Sequence, residues 1–403
     1  MKIKLKRKNY AAGEKIFLCI WAFYSLTYVF LDMSELRYMY DISTLYKATS
    51  YITFFLMAVL ILFYGRYSVK EMLIYALFVF MIILIEISIT DRAFLVNIMF
   101  IIYGKNIELK KLVSFDIKLK IIMLFIIVGL CLAGILDNYS AVINGTYKQA
   151  MGFSHPNTLT CFVLIILIEW LYLRYEELKV YDFAAQACLC WIVMQVGGGR
   201  SSGYTYIIVL GLFLVAKLYP QIFRWKITRA VFVIIVPVMV FLCFLVARLY
   251  QAGNGIILKL DHIATGRIKW MSYFLNNYNI KLFGQEIVTI NTRKALLLGT
   301  SYMSLDNAYI RCVLTYGVLY LILVCIAYIF LMNKALEMDQ PELALCCLFF
   351  VILGLGETYM LNVLFNVTLL CLLGLKNDVP NLFRVEFTAR KAGVSCGEQG
   401  RTK

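Results

Sequence analysis

Long apolar runs are the feature that most constrains the fold of this 403-residue chain. A membrane-spanning helix needs about 20 mostly apolar residues, and one such run after another fills the sequence. Hydrophobic residues make up 62% of the chain, charged residues 16%, and the mean hydropathy is +0.80. A soluble protein of this size would expose much of that apolar surface, which excludes a soluble globular domain. The sequence therefore predicts an all-α, polytopic integral membrane protein.

About twelve transmembrane helices are expected, with the fourth shorter than the rest. The apolar runs cover residues 16–33, 50–64, 72–90, 93–104, 119–136, 157–173, 183–197, 203–217, 230–248, 310–332, 343–356 and 360–375. The first run lacks a small-residue cleavage site and is followed by further runs, so we expect a retained helix and not a signal peptide.

The distribution of basic residues predicts which ends of the helices face the cytoplasm. The net charge is +15, and the residues before the first run are strongly basic: Lys2, Lys4, Lys6, Arg7, Lys8 and Lys15. If that segment is cytoplasmic, the inner segments hold about twice as many Lys and Arg residues as the outer ones, as the positive-inside rule requires. We expect both termini in the cytoplasm. Nucleic-acid binding is the weaker interpretation of this charge, because no long basic soluble domain exists, and we expect no nucleic-acid partner.

Five segments follow from this topology. Residues 1–136 form the first group of helices, 137–248 a second group with two polar motifs, 249–306 a long extracytoplasmic loop capped by short amphipathic helices, 307–375 the last helices, and 376–403 a cytoplasmic tail. The loop is too short for a core of its own. Within it, 267–275 has the pattern of a short amphipathic helix that could rest at the membrane surface.

Five polar clusters interrupt the apolar pattern, and this topology places all of them on the outer side. Ionisable residues at a membrane edge are energetically costly and tend to be functional. A single outer site is therefore expected. The clusters are residues 152–157, 197–203, 265–267, 305–311 and 356–359.

Two arginines are the candidate anion-binding groups. Arg200 follows three glycines that allow a tight turn, and backbone amides at the start of the next helix would favour an anion. A guanidinium group there can hold a phosphate with two parallel hydrogen bonds. The alternatives are a snorkelling arginine for Arg200 and an ordinary loop cation for Arg267. If both converge on one site, they suit a pyrophosphate.

The remaining candidates have structural alternatives of comparable weight. His155 precedes Pro156 and Asn157, and a structural turn with Asn157 as the cap of the next helix explains this segment equally well. Asp306 and Asn307 also fit an N-cap before the next apolar run. A carboxylate at the position of Asp306 can accept a proton from a hydroxyl group. Glu357 is either a sugar-binding group or a solvated turn residue.

Taken in order, the clusters resemble the O-antigen ligase and repeat-unit polymerase (Wzy-like) superfamily of bacterial surface-polysaccharide assembly. The similarity covers about residues 137–365 and rests on Gly-Phe-Ser-His-Pro-Asn at 152–157, the Gly-Arg-rich turn at 197–203, Gly-Arg-x-x-Trp at 266–270 and Asp-Asn-x-Tyr at 306–309. Asp306 stands where the ligase branch usually has His, and the turn reads Gly-Arg200-Ser instead of Ser-Arg-Gly. The first departure leaves the identity of the base open and favours the polymerase branch, and the second leaves the backbone geometry of the turn open.

This resemblance implies a GT-C-like, metal-independent, inverting glycosyltransferase in the bacterial cytoplasmic membrane, with an extracytoplasmic active site. The substrates would be undecaprenyl-pyrophosphate-linked oligosaccharides drawn from membrane lipid, with a chain-length regulator as a further partner and no cofactor or metal. Arg200 and Arg267 would bind the pyrophosphate, and Asp306 would act as the base, with His155 and Glu357 as second choices. The expected substrate-binding residues are His155, Asn157, Asn307, Tyr309, Arg311 and Glu357.

Two alternative functions remain open at this point. A ligase would transfer polysaccharide to a lipid or protein acceptor and would differ from a polymerase only in that acceptor. A flippase or secondary transporter would move the same lipid-linked sugars, but transporters often have repeated halves and ionisable residues near the membrane midplane. Here the polar residues gather at one edge.

Overall fold

The computed structural model describes residues 8–89, 93–143 and 145–374 and is 76% helical. Its strands form one two-stranded antiparallel hairpin. The helices are α1 (Lys8–Tyr28), α2 (Leu36–Met39), α3 (Ser43–Tyr64), α4 (Val69–Ser88), α5 (Ala93–Gly104), α6 (Leu109–Leu132), α7 (Pro156–Arg174), α8 (Val180–Gly197), α9 (Arg200–Leu218), α10 (Lys226–Gln251), α11 (Gly255–Ile263), α12 (Arg267–Asn277), α13 (Thr292–Leu298), α14 (Ala308–Arg311), α15 (Val318–Glu337) and α16 (Pro341–Leu353), with β1 (Ser140–Ile143) and β2 (Thr146–Gln149) between α6 and α7.

Eight helices within the described residues are long and apolar enough to cross a membrane, which confirms the all-α membrane class. They are α1 with its continuation to Met33, α3, α4, α7, α8, α9, α10 and α15. The α5 and α16 helices are apolar but shorter, with 12 and 13 residues, and α6 contains several charged residues in its first half. The predicted tail 376–403 and the basic residues from Lys2 to Arg7 lie outside the described residues.

The last apolar run is not an α-helix, and this part of the prediction was wrong. Two 3₁₀ turns, Tyr359–Leu361 and Val367–Cys371, occupy the described part of 360–375. Asn366 donates to the hydroxyl of Tyr328 at 2.5 Å and accepts from the hydroxyl of Thr368 at 2.5 Å, while Asn362 accepts from the amide of Leu364 at 3.0 Å. Such side-chain bonds compete with the hydrogen-bond ladder of a helix.

A second difference interrupts the predicted run 310–332. The α14 helix passes into a π turn, Cys312–Tyr316, and Gly317 at φ +95° separates it from α15. A Cβ atom at Gly317 would lie 2.2 Å from the carbonyl oxygen of Leu282, so only glycine permits this approach of the loop. The amide of Val318 then bonds to Lys281 at 3.1 Å. This break anchors one end of the segment 279–303.

The helix bundle has a cavity at one end and ion-paired connections at the other. The starts of α7 and α9, the end of α10 and the residues after α16 surround one cavity, together with short helices of the segment 249–306. At the other end, Arg224 and Asp339 form an ion pair between the α9–α10 and α15–α16 connections. Leu370 lies there against Gly104 at the end of α5. The residues after Glu357 therefore run from the cavity end back to the opposite end in 3₁₀ turns.

A buried charged triad links α1, α6 and α7 away from the cavity. The Nζ atom of Lys120 lies 2.5 Å from a carboxylate oxygen of Asp116 and 2.5 Å from one of Glu169, and all three side chains are at most 3% exposed. The indole of Trp21 donates to Asp116 at 2.7 Å. Charges this deep require partners, so each member depends on the others.

Substitution of Lys120 tests this dependence. Lys120→Met leaves two buried carboxylates without their cation, and breaking such a pair costs about 3–5 kcal/mol. We expect a clear fall in the melting temperature of the purified protein in detergent, measured by size-exclusion chromatography after heating. Lys118→Met, which removes an exposed lysine from the same helix, serves as the control and should melt like the wild type. Equal melting of the two variants would show that the triad contributes nothing to stability.

Candidate functional site

The cavity at the helix ends has a volume of about 1190 Å³. Residues from all five predicted polar clusters line it, including His155, Arg200, Arg267, Asp306 and Glu357. Six cationic side chains (Arg37, Arg200, Arg267, Arg293, Lys294 and Arg311) and three acidic ones (Asp32, Asp306 and Glu357) face it. This excess of positive charge favours an anionic ligand.

Arg267 stands at the centre of the site because the local sequence fixes the start of α12. Gly266, at φ +81°, makes the turn, and the carboxylate of Asp261 accepts from the amides of Ile268 and Lys269 at 2.9 and 3.0 Å. The carboxylate thereby satisfies amides at the helix start, as an N-cap does. Arg267 is the first residue of that helix, so its side chain is presented from a rigid element.

The Arg267 guanidinium group joins three other segments. It donates to the hydroxyl of Ser201 and, from Nη2, to Glu357 at 2.8 Å. Its Nε atom lies 3.7 Å from a carboxylate oxygen of Asp306. A Cβ atom at Gly356 would come within 2.7 Å of Nη1, so this glycine leaves the space that the guanidinium needs. One cation therefore holds two carboxylates at the cavity wall.

Burial changes the acidity of Glu357. Burial raises its pKa to about 7, against the opposing effect of Arg267, and Asp306 raises it further. Its side chain is 12% exposed, compared with 28% for Asp306. A carboxyl group with a pKa near neutrality can both accept and release a proton at physiological pH.

Asp306 is held by hydroxyl groups. It accepts from Ser304 at 2.5 Å and from Tyr302 at 3.1 Å. Burial and the neighbouring Asp306 both raise the pKa of Tyr302, so the phenol remains a hydrogen-bond donor. These bonds fix the position of the Asp306 carboxylate.

His155 is the N-cap of α7, whereas the sequence predicted Asn157 in that position. Its Nδ1 atom accepts from the amide of Asn157 at 3.1 Å. Burial lowers the pKa of His155 to about 4, partly offset by Asp306. The imidazole is therefore neutral, and with Nδ1 accepting, the proton belongs on Nε2. His155 is suited to donate a hydrogen bond and not to act as a base.

The glycine turn before Arg200 packs closely against α7. Gly198 has φ +75°, and a Cβ atom at Gly199 would lie 2.8 Å from the side chain of Thr160. Two amides that were expected to face an anion are already bonded: that of Gly199 to Thr160 at 3.3 Å and that of Arg200 to Gly198 at 2.8 Å. The turn therefore positions the side chain of Arg200. The amides of Gly199 and Arg200 are not available to a ligand.

The other predicted residues divide into two groups. Asn157 and Arg311 line the cavity, whereas Asn307 and Tyr309 do not. Asn307 caps α14 by accepting from Ile310 at 2.9 Å and donates to the carbonyl of Leu355 at 3.0 Å. Tyr309 is 1% exposed and donates to Val351 at 2.6 Å. Their contacts are structural, and the substrate-binding role expected for these two residues has no support in their placement.

One wall of the cavity was missed by the sequence analysis. It comes from the turn after α1 and from the loop around α13, and its side chains include Asp32, Arg37, Tyr38, Asn291 and Arg293. The signal in the sequence was the charged cluster 32–37 directly after the first apolar run, which resembles an ordinary polar connection.

Comparison of the chain with protein-family models, with curated proteins and with solved structures gives no match. Within the described ranges, no three His, Cys, Asp or Glu side chains gather in a group that could hold a metal ion.

The titration of Glu357 gives a direct test of the site geometry. The infrared C=O band of a protonated carboxyl should be present at pH 5.5 and should disappear through about pH 7, because burial raises the pKa of Glu357 to about 7. Arg267→Gln removes the cation that stabilises the carboxylate, so the transition should move to higher pH. Glu357→Gln should lose part of this transition and keep the part contributed by Glu35, whose pKa burial also raises to about 7. A band that persists unchanged in Glu357→Gln would assign it to another residue.

Proposed function

We propose that this protein polymerises undecaprenyl-pyrophosphate-linked oligosaccharide units at the outer face of a bacterial cytoplasmic membrane. The supporting observation is the convergence of Arg200, Arg267, Asp306 and Glu357 on one cavity at the ends of apolar helices. Arginines at a membrane edge suit a lipid-linked diphosphate, and paired carboxylates suit proton transfer from a hydroxyl group. Both ends of the chain are then cytoplasmic.

The proposed reaction is a single inverting displacement. A hydroxyl oxygen of the acceptor sugar forms a bond to the anomeric carbon of the donor, and the bond from that carbon to the diphosphate oxygen breaks. The hydroxyl proton passes to a carboxylate, and the electron pair of the broken bond remains on the diphosphate. Arg200 and Arg311 stabilise the charge that develops on this leaving group, which is usually the largest contribution of such a site.

Glu357 is the general base in this proposal, in place of Asp306. Asp306 already accepts from two hydroxyl groups, whereas the pKa of Glu357 lies near 7. Arg267 is partly committed to Ser201 and Glu357, so it orients the base and leaves the diphosphate mainly to Arg200 and Arg311. The neutral His155 donates from Nε2 to a substrate oxygen.

A flippase for the same lipid-linked sugars is the second candidate function. The triad of Asp116, Lys120 and Glu169 favours it, because buried charges within the bundle are typical of transporters. A deletion strain separates the two functions. Loss of a polymerase leaves single repeats displayed outside the cell, whereas loss of a flippase retains the intermediates inside.

Arg200→Ala should reduce polymerisation by about 100- to 1,000-fold, the usual loss when one charge-stabilising donor is removed. Arg200→Lys should also be impaired, because a point charge cannot replace the planar fork. The measurement is the length distribution of polysaccharide formed from lipid-linked repeat units by purified protein. Arg224→Ala, at the opposite end of the bundle, is the control. Normal chain lengths from Arg200→Ala would contradict the assignment.

The pH dependence tests the role of Glu357. As a base with a pKa of about 7, it is protonated and inactive below that pH, so the rate should rise as pH increases through neutrality. Glu357→Gln should retain substrate binding but lose most activity and the rising limb of the profile. Asp306→Asn should lower the rate while keeping that limb. If Asp306→Asn abolishes the limb instead, Asp306 is the base.

A further inference from the structure

The cavity has a second end whose chemistry differs from that of the Arg267 cluster. Each of two arginines there is paired with an acid: Arg37 with Asp32 at 3.0 Å, and Arg293 with Glu35 at 3.3 Å. Glu35 is itself 0% exposed. Arg293 also lies 3.5 Å from Asp137. Asp32 and Asp137 therefore offset part of the charge of Arg37 and Arg293, while burial raises the pKa of Glu35 to about 7, so that it carries a partial charge at neutral pH.

Aromatic rings line the same end. Tyr28 and Tyr46 face the cavity with ring centroids 6.0 Å apart and planes at 63°. The guanidinium carbons of Arg37 and Arg293 lie 5.3 and 5.9 Å from the ring centre of Tyr38. The amide of Asn291 donates to the Tyr38 hydroxyl at 2.7 Å. Flat apolar surfaces thus alternate with donors and acceptors in a rigid network.

The two ends are connected through the turn before α7. The amide of Ser154 bonds to Met33 at 2.7 Å, and that of Glu35 to Gly152 at 3.0 Å. These bonds place His155 beside the wall formed by residues 32–38. A ligand that lies along the cavity therefore passes from the Arg267 cluster, past His155, to the tyrosines.

We propose that the wall formed by Tyr28, Asp32, Arg37, Tyr46 and Asn291 is a carbohydrate subsite. The inference rests on the proposed function and names the part of the cavity that holds the sugars of a lipid-linked unit. Sugars present hydroxyl groups that both donate and accept, together with C–H faces that pack on aromatic rings. A diphosphate is held best by cations that have no carboxylate beside them, whereas Arg37 and Arg293 each lie against one.

The size of the cavity agrees with an extended ligand. Its volume of about 1190 Å³ exceeds the roughly 300–1,000 Å³ typical of a site for one small molecule. A diphosphate alone would leave the part of the cavity beside Tyr28 and Tyr46 unfilled.

Binding of two lipids separates this subsite from the diphosphate site. The probes are undecaprenyl diphosphate and the same lipid carrying one repeat unit of the producing strain, each titrated into purified full-length protein in nanodiscs. Arg37→Gln and Tyr46→Ala should weaken binding of the sugar-bearing lipid about tenfold, as expected for loss of a hydrogen bond to a charged group or of a ring contact. Their affinity for undecaprenyl diphosphate should stay at the wild-type value.

Matched controls make the outcomes distinct. Arg224→Gln and Tyr219→Ala change the same residue types at the opposite end of the bundle and should bind both lipids normally, whereas Arg200→Ala should weaken both. Equal losses for the two lipids in Arg37→Gln and Tyr46→Ala, or no loss for either, would overturn the subsite while leaving the proposed function intact. A wild-type protein that binds neither lipid would overturn both. Elution volumes and melting temperatures verify that each variant is folded.

Discussion

The guanidinium group of Arg267 connects the separate chain segments that form the site. Arg267 reaches Ser201, 66 residues away in sequence, and Glu357, 90 residues away, while Asp306 lies 3.7 Å from it. Burial raises the pKa of Glu357 to about 7, and Asp306 raises it further because one cation serves two carboxylates. The same imbalance means that the proton on Glu357 responds to any further cation or anion in the cavity. A bound diphosphate would raise its proton affinity, and Arg200 and Arg311 on the cavity wall oppose that effect.

Hydropathy predicted most of the helices but not the conformation of every apolar run. It reports the free energy of transferring side chains out of water, and within the bundle a 3₁₀ segment can be as well buried as a helix. Residues 359–371 illustrate this, because the side chains of Asn362, Asn366 and Thr368 form local hydrogen bonds. Gly317 is the corresponding case in the run 310–332, where a distant loop needs the space. Both signals were polar or glycine residues inside an apolar run, and their meaning depends on partners far away in sequence.

The polar clusters predicted which ends of the helices gather, since residues of each cluster line one cavity. They did not predict which member of a cluster faces it: Asp306 does, and its neighbour Asn307 turns inward to cap a helix. Nor did they predict the wall formed by the turn after α1 and the loop around α13, in which Glu35 pairs with Arg293, 258 residues away in sequence. A single sequence contains the charges of such a pair but not their proximity. The N-cap rule correctly predicted a cap before α7 because capping depends on near neighbours in sequence, but the capping residue is His155 and not Asn157.

Three chemical zones follow one another along the cavity. Apolar side chains of α10 and α11, among them Val246, Leu260 and Ile263, lie on the wall that leads to Arg267. The cationic zone comes next, and the ion-paired tyrosine wall lies beyond His155. A lipid-linked sugar has the same order of parts, a hydrocarbon tail, a diphosphate and a carbohydrate. The bond that breaks in the proposed reaction joins the last two, so proton-transferring groups belong at the boundary between the second and third zones. Asp306 and Glu357 lie around that boundary beside the hydrogen-bond donor His155, because Asp306 and Arg267 are close enough to His155 to influence its pKa. The order of the zones thus gives the carboxylates a reason for their position that does not depend on which of them accepts the proton.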